Sequence, residues 1–494
     1  MEEQSPFRLL SSGIEKLDLA LGGGLPEFSF NVLTGEPGSG KTILAHQIAF
    51  ANGTPDRPAL YFTMLGESSL KRLRYQQKFS YFDVARVGES ILFEDLSSEA
   101  LKGDLYRLLD LVMERVEKVR AGVVIIDSFR TVLGSRSKPG DEDFLHQLAL
   151  RLTNAEATTI LVGEYVGDEL QHNPVFAIAD GVIGLRQSVI RNSMVRKLRI
   201  HKLRGMDLQP GLHTFRITSD GIAFFPRMIS PVDKTIDSQA SSELISIGNP
   251  ELDEMLGGGI LEGSSILVAG PSGSGKTTVG LQFIAEGVKK GVPGVLALFE
   301  ETVPTYRQQA MGFGIDLQKM IDAGLLELVY IRPLDLSVDE TLYAIQSGIE
   351  RVGARRVVID SITALENALA PTFREEYRES LYRLIGAMTA ARITILMTVE
   401  ITTSYQQLEF TPHAISFLTH DLILQRYFEV EGQLRTFLSI IKTRGRKHSR
   451  ELREYQITSN GIEIGDALRE FQGVITAVPQ RVAPKRRRGP RDRK

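Results

Sequence analysis

Two segments of the chain have residue types and spacing suited to holding phosphate. "GEPGSGKT" contributes Gly35, Glu36, Pro37, Gly38, Ser39, Gly40, Lys41 and Thr42. "GPSGSGKT" contributes Gly270, Pro271, Ser272, Gly273, Ser274, Gly275, Lys276 and Thr277, with Thr278 directly after it. Both fit G-x-x-x-x-G-K-[ST], and each follows an apolar strand-like run and precedes a helical stretch. Glycines there let backbone N–H groups converge on phosphate oxygens, and the next helix presents its positive end to the same anion. Lys41 and Lys276 neutralise β- and γ-phosphate charge, while Thr42 and Thr277 are the expected ligands of Mg2+. The ligand implied is ATP with Mg2+.

Acids and cations at fixed distances from these loops extend the pattern. "AGVVIIDSF" and "ARRVVIDSI" each end an apolar strand with an acid, Asp127 and Asp360. Acids so placed hold a Mg2+ ion through water beside a phosphate loop. "LFEETVPTYRQ" sets Glu300 and Glu301 side by side, whereas the corresponding "TMLGESSLKRL" offers only Glu67. Counted from the loops, Glu300 falls on Leu65 (300 − 235); counted from the strand-end acids, it falls on Glu67 (300 − 233). Glu67 is taken as the first copy's counterpart. In "HKLRG" and "IKTRG", Lys202 with Arg204 and Lys442 with Arg444 are spaced i, i+2, which on a strand puts both cations on one face.

The elements that must position these residues occur twice. Lys41 and Lys276 are separated by 276 − 41 = 235, Asp127 and Asp360 by 360 − 127 = 233, and Lys202 and Lys442 by 442 − 202 = 240. Small loop insertions and deletions explain the drift, and the chain is a tandem duplication. Within each copy short apolar runs alternate with helical stretches: "SFNVLTG", "ALYFTM", "GVVIID" and "TILVGE", then "SILVAG", "GVLALFE", "RVVID" and "TILMTVE". Runs apolar at consecutive positions indicate strands buried on both faces, hence α/β domains with mostly parallel central sheets. "TSDGI" and "TSNGI" read as hairpin turns, since Asp-Gly and Asn-Gly tolerate positive φ. The expected domains span 1–230 and 244–476, joined by a polar, Ser-rich linker at 231–243 and followed by a basic tail at 477–494 whose charge and prolines cannot support a packed core.

Composition bounds the chemistry. At 494 residues the chain can bury more than one core, and 42% apolar with 24% charged residues is ordinary for a globular protein. The formal charge of −3 gives no global attraction for nucleic acid or anionic membrane. Cysteine is absent, which removes disulfides, thiolate nucleophiles and cysteine-bound zinc. The eight histidines show no metal-ligand spacing. The acidic start "MEEQSPFRLLSSG" does not resemble a signal peptide, and no run approaches the roughly 20 apolar residues that span a bilayer, so the protein reads as cytoplasmic with no membrane partner.

The pairing of "LDLALGGG" or "LDEMLGGG" before each loop, "VVIIDS" or "VVIDS" as second acidic motif, and terminal "KLRG" or "KTRG" resembles the KaiC family of tandem RecA-like P-loop ATPases. The resemblance runs from about Ser11 to Gly473. It implies a homo-hexameric ring of two tiers with ATP at each subunit interface, where Lys202, Arg204, Lys442 and Arg444 contact the neighbour's phosphates. It further implies that Glu300 and Glu301, and Glu67 alone in the first copy, orient and deprotonate the attacking water. A serine/threonine autokinase activity in the second domain would use Ser416, which matches the family's phosphorylated serine, with Thr419 as a nearby spare; Phe417 stands where the family has threonine. A KaiB-like or other signalling protein is the implied partner, and signalling or circadian timing the implied setting.

Two alternatives stand beside this reading. One is a RecA-like nucleic-acid-binding ATPase using the cation run "KRRRGPRDRK"; no alternation of aromatic and basic residues supports it, and it is not favoured. The other is an ATP-controlled regulatory scaffold without autokinase activity.

Overall fold

The computed structural model describes residues 8–64, 74–133, 140–165, 167, 169, 173–190, 193–227, 243–331, 337–368, 374–401, 419–469, 471–472 and 480–481. Its two compact units divide between Arg227 and Met228.

In the first unit β1 (Phe30–Gly35) leads into α1 (Lys41–Asn52), then β2 (Ala59–Thr63) and β3 (Ile91–Asp95). Helix α2 (Leu105–Val119), β4 (Val123–Asp127), α3 (Asp141–Asn154) and β5 (Thr158–Gly163) follow. Four longer strands close it: β6 (Gly181–Ile190), β7 (Ser193–Leu203), β8 (Leu212–Thr218) and β9 (Gly221–Phe225). Sheet order is 9-8-7-6-1-5-4-2-3. Pairing is parallel from β6 through β3 and antiparallel from β6 outward to β9.

The second unit contains β10 (Ser265–Gly270), α4 (Lys276–Lys289), β11 (Gly294–Leu298), α5 (Val303–Gly312) and β12 (Leu326–Tyr330). Next come α6 (Val338–Val352), β13 (Arg356–Asp360), α7 (Arg374–Ala390) and β14 (Thr394–Glu400). The last four strands are β15 (Asp421–Val430), β16 (Gln433–Thr443), β17 (Arg453–Thr458) and β18 (Gly461–Ala467). Its order, 12-11-13-14-10-15-16-17-18, matches the first sheet strand for strand when nine is added to each number. Both units are RecA-like α/β domains.

Burial on both faces explains the unbroken apolar strands. In β4, Val124 and Ile126 pack with Leu108, Val112 and Val116 of α2, while Val123 and Ile125 face the cluster holding Leu44 and Ile48 of α1. Strand residues alternate sides, so each layer takes every second residue and consecutive positions of β4 are apolar until the strand ends at Asp127. Helix α2 places Leu108, Leu109, Val112, Met113 and Val116 on one stripe and starts where Asp104 accepts the Arg107 N–H at 3.0 Å. In α6 the equivalent cap is Ser337, accepting the Glu340 N–H at 3.1 Å. The "LD" acids are structural: Asp18 accepts the Ser12 N–H at 2.7 Å and Asp253 the Ile247 N–H at 2.8 Å, fixing the chain ahead of each loop. "TSDGI" and "TSNGI" do form hairpins, with Thr218 paired to Gly221 and Thr458 to Gly461; the positive φ falls on the glycines, 97° and 103°, and not on Asp220 or Asn460. Among the described residues no helix is long and apolar enough to cross a membrane.

Candidate nucleotide-binding and active sites

Each phosphate loop joins the C-terminal end of a central strand to the N-terminus of a helix, β1 to α1 and β10 to α4. This is the crevice where open parallel sheets bind ligands, because the strand ends release backbone and the helix ends supply N–H groups. Gly35 closes the strand at φ 147°, and a Cβ there would stand 1.9 Å from the Leu185 carbonyl oxygen of β6. Only glycine lets the loop leave the sheet so close to its neighbour. Gln187 of β6 holds the loop from the same side, its amide donating to the Pro37 carbonyl at 3.1 Å.

In the first unit the Lys41 ammonium lies buried under the loop and donates to the carbonyls of Gly35 at 2.9 Å and Glu36 at 2.8 Å. Burial lowers its pKa, opposed by the charges of Glu164, Asp127 and Glu36. Thr42 donates to Asp127 Oδ2 at 2.9 Å, which brings together the two Mg2+-side residues named from the sequence. Tyr61 of β2 donates to the same oxygen at 2.6 Å.

The second unit builds the same corner with different supports. Lys276 donates to the Pro271 carbonyl at 2.7 Å, and burial lowers its pKa against Glu400, Asp360 and Glu300. Asp360 accepts from Thr398 at 2.5 Å on one oxygen and from Tyr306 at 3.3 Å on the other. Lys276, Thr277, Thr278, Glu300, Glu301 and Asp360 all line one cleft of about 450 Å3. Glu300 is exposed, whereas Glu301 Oε2 is buried without a hydrogen-bond partner among the described residues. Leaving a carboxylate oxygen buried and unpaired is unfavourable, so this atom faces a place meant for a donor.

These residues fit a polyphosphate carrying a divalent cation. Among the described residues no group of three or more His, Cys, Asp or Glu forms a cage for metal. A threonine hydroxyl beside one carboxylate suits Mg2+ instead, which keeps water and takes much of its coordination from phosphate.

Other sequence-derived candidates lie elsewhere. Lys202 pairs with Val182, which pairs with Val32, so the "KLRG" cations sit at the end of the sheet opposite their own loop. There Lys202 donates to the Ala177 carbonyl at 3.2 Å and Arg204 meets Asp180 at 3.2 Å. Lys442 pairs with Leu422 and donates to the Thr419 carbonyl at 2.7 Å; the backbone N–H of Arg444 bonds the His420 carbonyl at 3.0 Å. Neither cation pair is brought to the loop of its own unit. Thr419 is fully buried. Glu67 and Ser416 lie outside the described residues.

The sequence reading passed over Tyr61 and Tyr306, and also Glu164 and Glu400, whose charges reach the loop lysines. The two glutamates end "TILVGE" and "TILMTVE", so a shared acid closing the strand beside the loop was a visible signal. The tyrosines gave none, because one comes from a strand and the other from a helix.

A sequence model described as "ATPase: KaiC" matches residues 10–228 and 245–469. The chain belongs to the KaiC ATPase family. Among similar KaiC proteins is the "Circadian clock oscillator protein KaiC" of Picosynechococcus sp., 29% identical over 486 residues, covering 95% of this chain and 92% of the relative. "Circadian clock oscillator protein KaiC 1" of Synechocystis sp. is 29% identical over 487 residues, 95% of this chain and 91% of the relative. The KaiC of Thermostichus vulcanus is 29% identical over 498 residues, 98% and 94%. The likeness therefore spans both KaiC repeats.

Proposed function

We propose that this KaiC-family chain is a Mg2+-dependent ATPase that binds ATP at both loops and hydrolyses it in the second unit through Glu300 and Glu301. The observation that carries the reading is the gathering of Lys276, Thr277, Asp360 and the glutamate pair around one cleft. Lys276 and the loop N–H groups bind and orient the β- and γ-phosphates. Thr277 with Asp360, and Thr42 with Asp127, would hold Mg2+, which would supply charge neutralisation at the phosphate oxygens. The buried Glu301 Oε2 accepts a proton from the water whose oxygen attacks the γ-phosphorus as the bond to the β-phosphate oxygen breaks. In the first unit the corresponding acid is Glu67.

The assembly that suits the remote cations is a homo-hexameric ring, in which Lys202 with Arg204 and Lys442 with Arg444 reach a neighbour's phosphates. The domains of this ring protein are 1–230 and 244–476, with a linker at 231–243 and a basic tail at 477–494. Several relatives bear the name circadian clock oscillator protein, which supports a timing or signalling role with a KaiB-like or other signalling partner. Autokinase activity is the finer branch of the proposal. Its acceptor is Ser416, since the burial of Thr419 leaves that hydroxyl inside the unit.

The test is the double variant Glu300→Gln with Glu301→Gln. Nucleotide binding persists while phosphate release from the second unit falls by about 10²–10⁴-fold, the usual worth of a positioned base. Turnover equal to the parent's overturns the assignment. Mass spectrometry after incubation with Mg-ATP decides the kinase branch by phosphate on Ser416.

A further inference from the structure

A second cavity, of about 240 Å3 and lined by both polar and apolar groups, adjoins the first unit's phosphate loop across β1 and β6. Thr34, Gly35 and Glu36 form one wall, Gly184 and Arg186 of β6 the next, and His201 and Tyr165 the others. Asp127 lies on the other flank, since β5 and then β4 follow β1 in that direction. Gly184 makes room for His201, since a Cβ there would stand 2.7 Å from His201 Nε2. His201 reaches this place through a β-bulge. Val182 pairs with Lys202 and Ile183 with Ile200, so His201 is the unpaired extra residue. Bulges re-aim side chains next to sites of this kind.

The duplicate supplies an internal comparison. Thr34 pairs with Gly184, and its counterpart Ala269 pairs with Leu424. The bulge recurs between Leu422 and Ile423 and there skips Ile441. Ile401 follows Glu400 as Tyr165 follows Glu164. At these positions one scaffold therefore carries Leu, Ile and Ile in the second unit and Gly, His and Tyr in the first. The fold does not require the polar set.

Tyr165 is the sharpest sign of an occupant. The residue is 3% exposed, its ring packs edge-on against Phe176, and its hydroxyl has no hydrogen-bond partner among the described residues. Burial raises its pKa to about 12, so the hydroxyl keeps its proton and remains a donor. His201 has its pKa lowered by desolvation and by Arg199 and Arg186, and the neutral ring offers one N–H. Arg186 adds a permanent cation, and Glu36 is the one acid among the described lining residues.

We propose that this cavity is a binding site for hydrogen phosphate, with Tyr165, His201 and Arg186 donating to its oxygens and Glu36 accepting its O–H. The carboxylate makes the choice of ligand specific. At neutral pH inorganic phosphate still carries a proton that a carboxylate can accept, whereas sulfate carries none and meets only repulsion. Phosphate reaches the cavity either from solution or as product from the adjoining loop; only the second source rests on the ATPase reading.

The test uses the full chain with Mg2+ and both loops saturated by a non-hydrolysable ATP analogue, which blocks the γ-phosphate positions. Radiolabelled inorganic phosphate is then titrated at equilibrium. The expected result is one further phosphate per chain, displaced at least about 10-fold less well by sulfate than by unlabelled phosphate. His201→Ile, which copies the second unit, and Tyr165→Phe each weaken phosphate at least about 10-fold, the loss of one hydrogen bond to a charged acceptor. Glu36→Gln abolishes the preference over sulfate. No phosphate beyond the analogue, or unchanged binding in both His201→Ile and Tyr165→Phe, overturns the site. Analogue that stays unbound in the same titration refutes the nucleotide reading instead. A single turnover with ATP separates the sources. Phosphate release that trails cleavage in the parent and coincides with it in His201→Ile marks product; coincident release in both marks phosphate from solution.

Discussion

Tyr61→Phe should destabilise the first unit measurably more than Tyr306→Phe destabilises the second, although both tyrosines hold the equivalent acid. Tyr61 is fully buried and donates to Asp127 Oδ2 at 2.6 Å. Removing its oxygen leaves the ring packing intact, with His46 centred 4.5 Å and Phe93 5.5 Å away, so the lost hydrogen bond is the main change. A hydrogen bond to a charged acceptor contributes about 1.5–3 kcal/mol. At about 2–4 °C per kcal/mol for a unit of this size, the first unit's transition should fall by about 3–12 °C. Each acid keeps a threonine donor, Asp127 with Thr42 at 2.9 Å and Asp360 with Thr398 at 2.5 Å, but Tyr306 donates to Asp360 at 3.3 Å, a longer and weaker bond whose loss should stay below about 1 kcal/mol. Calorimetry of the full chain without nucleotide or Mg2+ measures the shifts, and hydrogen exchange over β4 and β13 assigns each to its unit. An equal or larger shift in Tyr306→Phe would refute the ranking of these bonds by length.

Other outcomes follow from the same geometry. Gly35→Ala drives a Cβ into the Leu185 carbonyl at 1.9 Å and should cost roughly 3 kcal/mol or more, read as faster amide exchange along β1 and β6. Gly205→Ala, with φ 77° but open space around it, should cost only about 1–2 kcal/mol by the same measurement. His213 is fully buried; its Nδ1 accepts the Arg227 N–H at 3.0 Å, and its Nε2 lies 3.0 Å from the Gln209 carbonyl. Burial lowers its folded pKa, so the unfolded chain binds the extra proton and stability falls as pH drops below about 6.5, by at most about 1.4 kcal/mol per pH unit. His213→Gln should flatten that part of the melting-temperature profile. Thr42→Ala and Thr277→Ala should each raise the Mg2+ concentration needed for nucleotide binding in one unit by at least about 10-fold, checked by titration of the metal.

How far the sequence reaches depends on whether a feature is local. The loops were legible because their chemistry occupies consecutive residues, and the parallel sheets because burial on both faces leaves uninterrupted apolar runs. The support of Asp127 and Asp360 was not legible. Tyr61 lies 66 residues from its acid and Tyr306 lies 54 from its own, and only the fold brings them into contact. The counterpart of Glu300 shows a subtler limit. Strand pairing carries the 235 spacing to Thr63 and Leu298, which pair with Asp127 and Asp360 in the two sheets. The helix-capping acids Asp83 and Asp316 stand 316 − 83 = 233 apart. The two-residue difference therefore arises between these landmarks, in the stretch that contains Glu67. Counting from either end is self-consistent, and the two counts disagree for that reason.

The duplication also indicates where function has room to diverge. Inside the sheet a residue must fill a layer, so Val32, Ile125 and Val162 answer to Leu267, Val358 and Thr398, with polarity changing only at Thr398, close to the strand end. At the C-terminal ends that constraint lapses, and the copies part: Glu36 against Pro271, Tyr165 against Ile401. Each substitution alters which donors and acceptors face the loop while leaving strand order and loop geometry in place. The first unit places Tyr165, His201 and Arg186 beside its loop, where the proposed phosphate would bind. The second places a buried carboxylate oxygen in the cleft beside Lys276, the atom proposed to accept a proton from water. On the proposed reading, a chain built this way varies the retention of phosphate in one unit and the breaking of its bond in the other by changing strand-end residues alone.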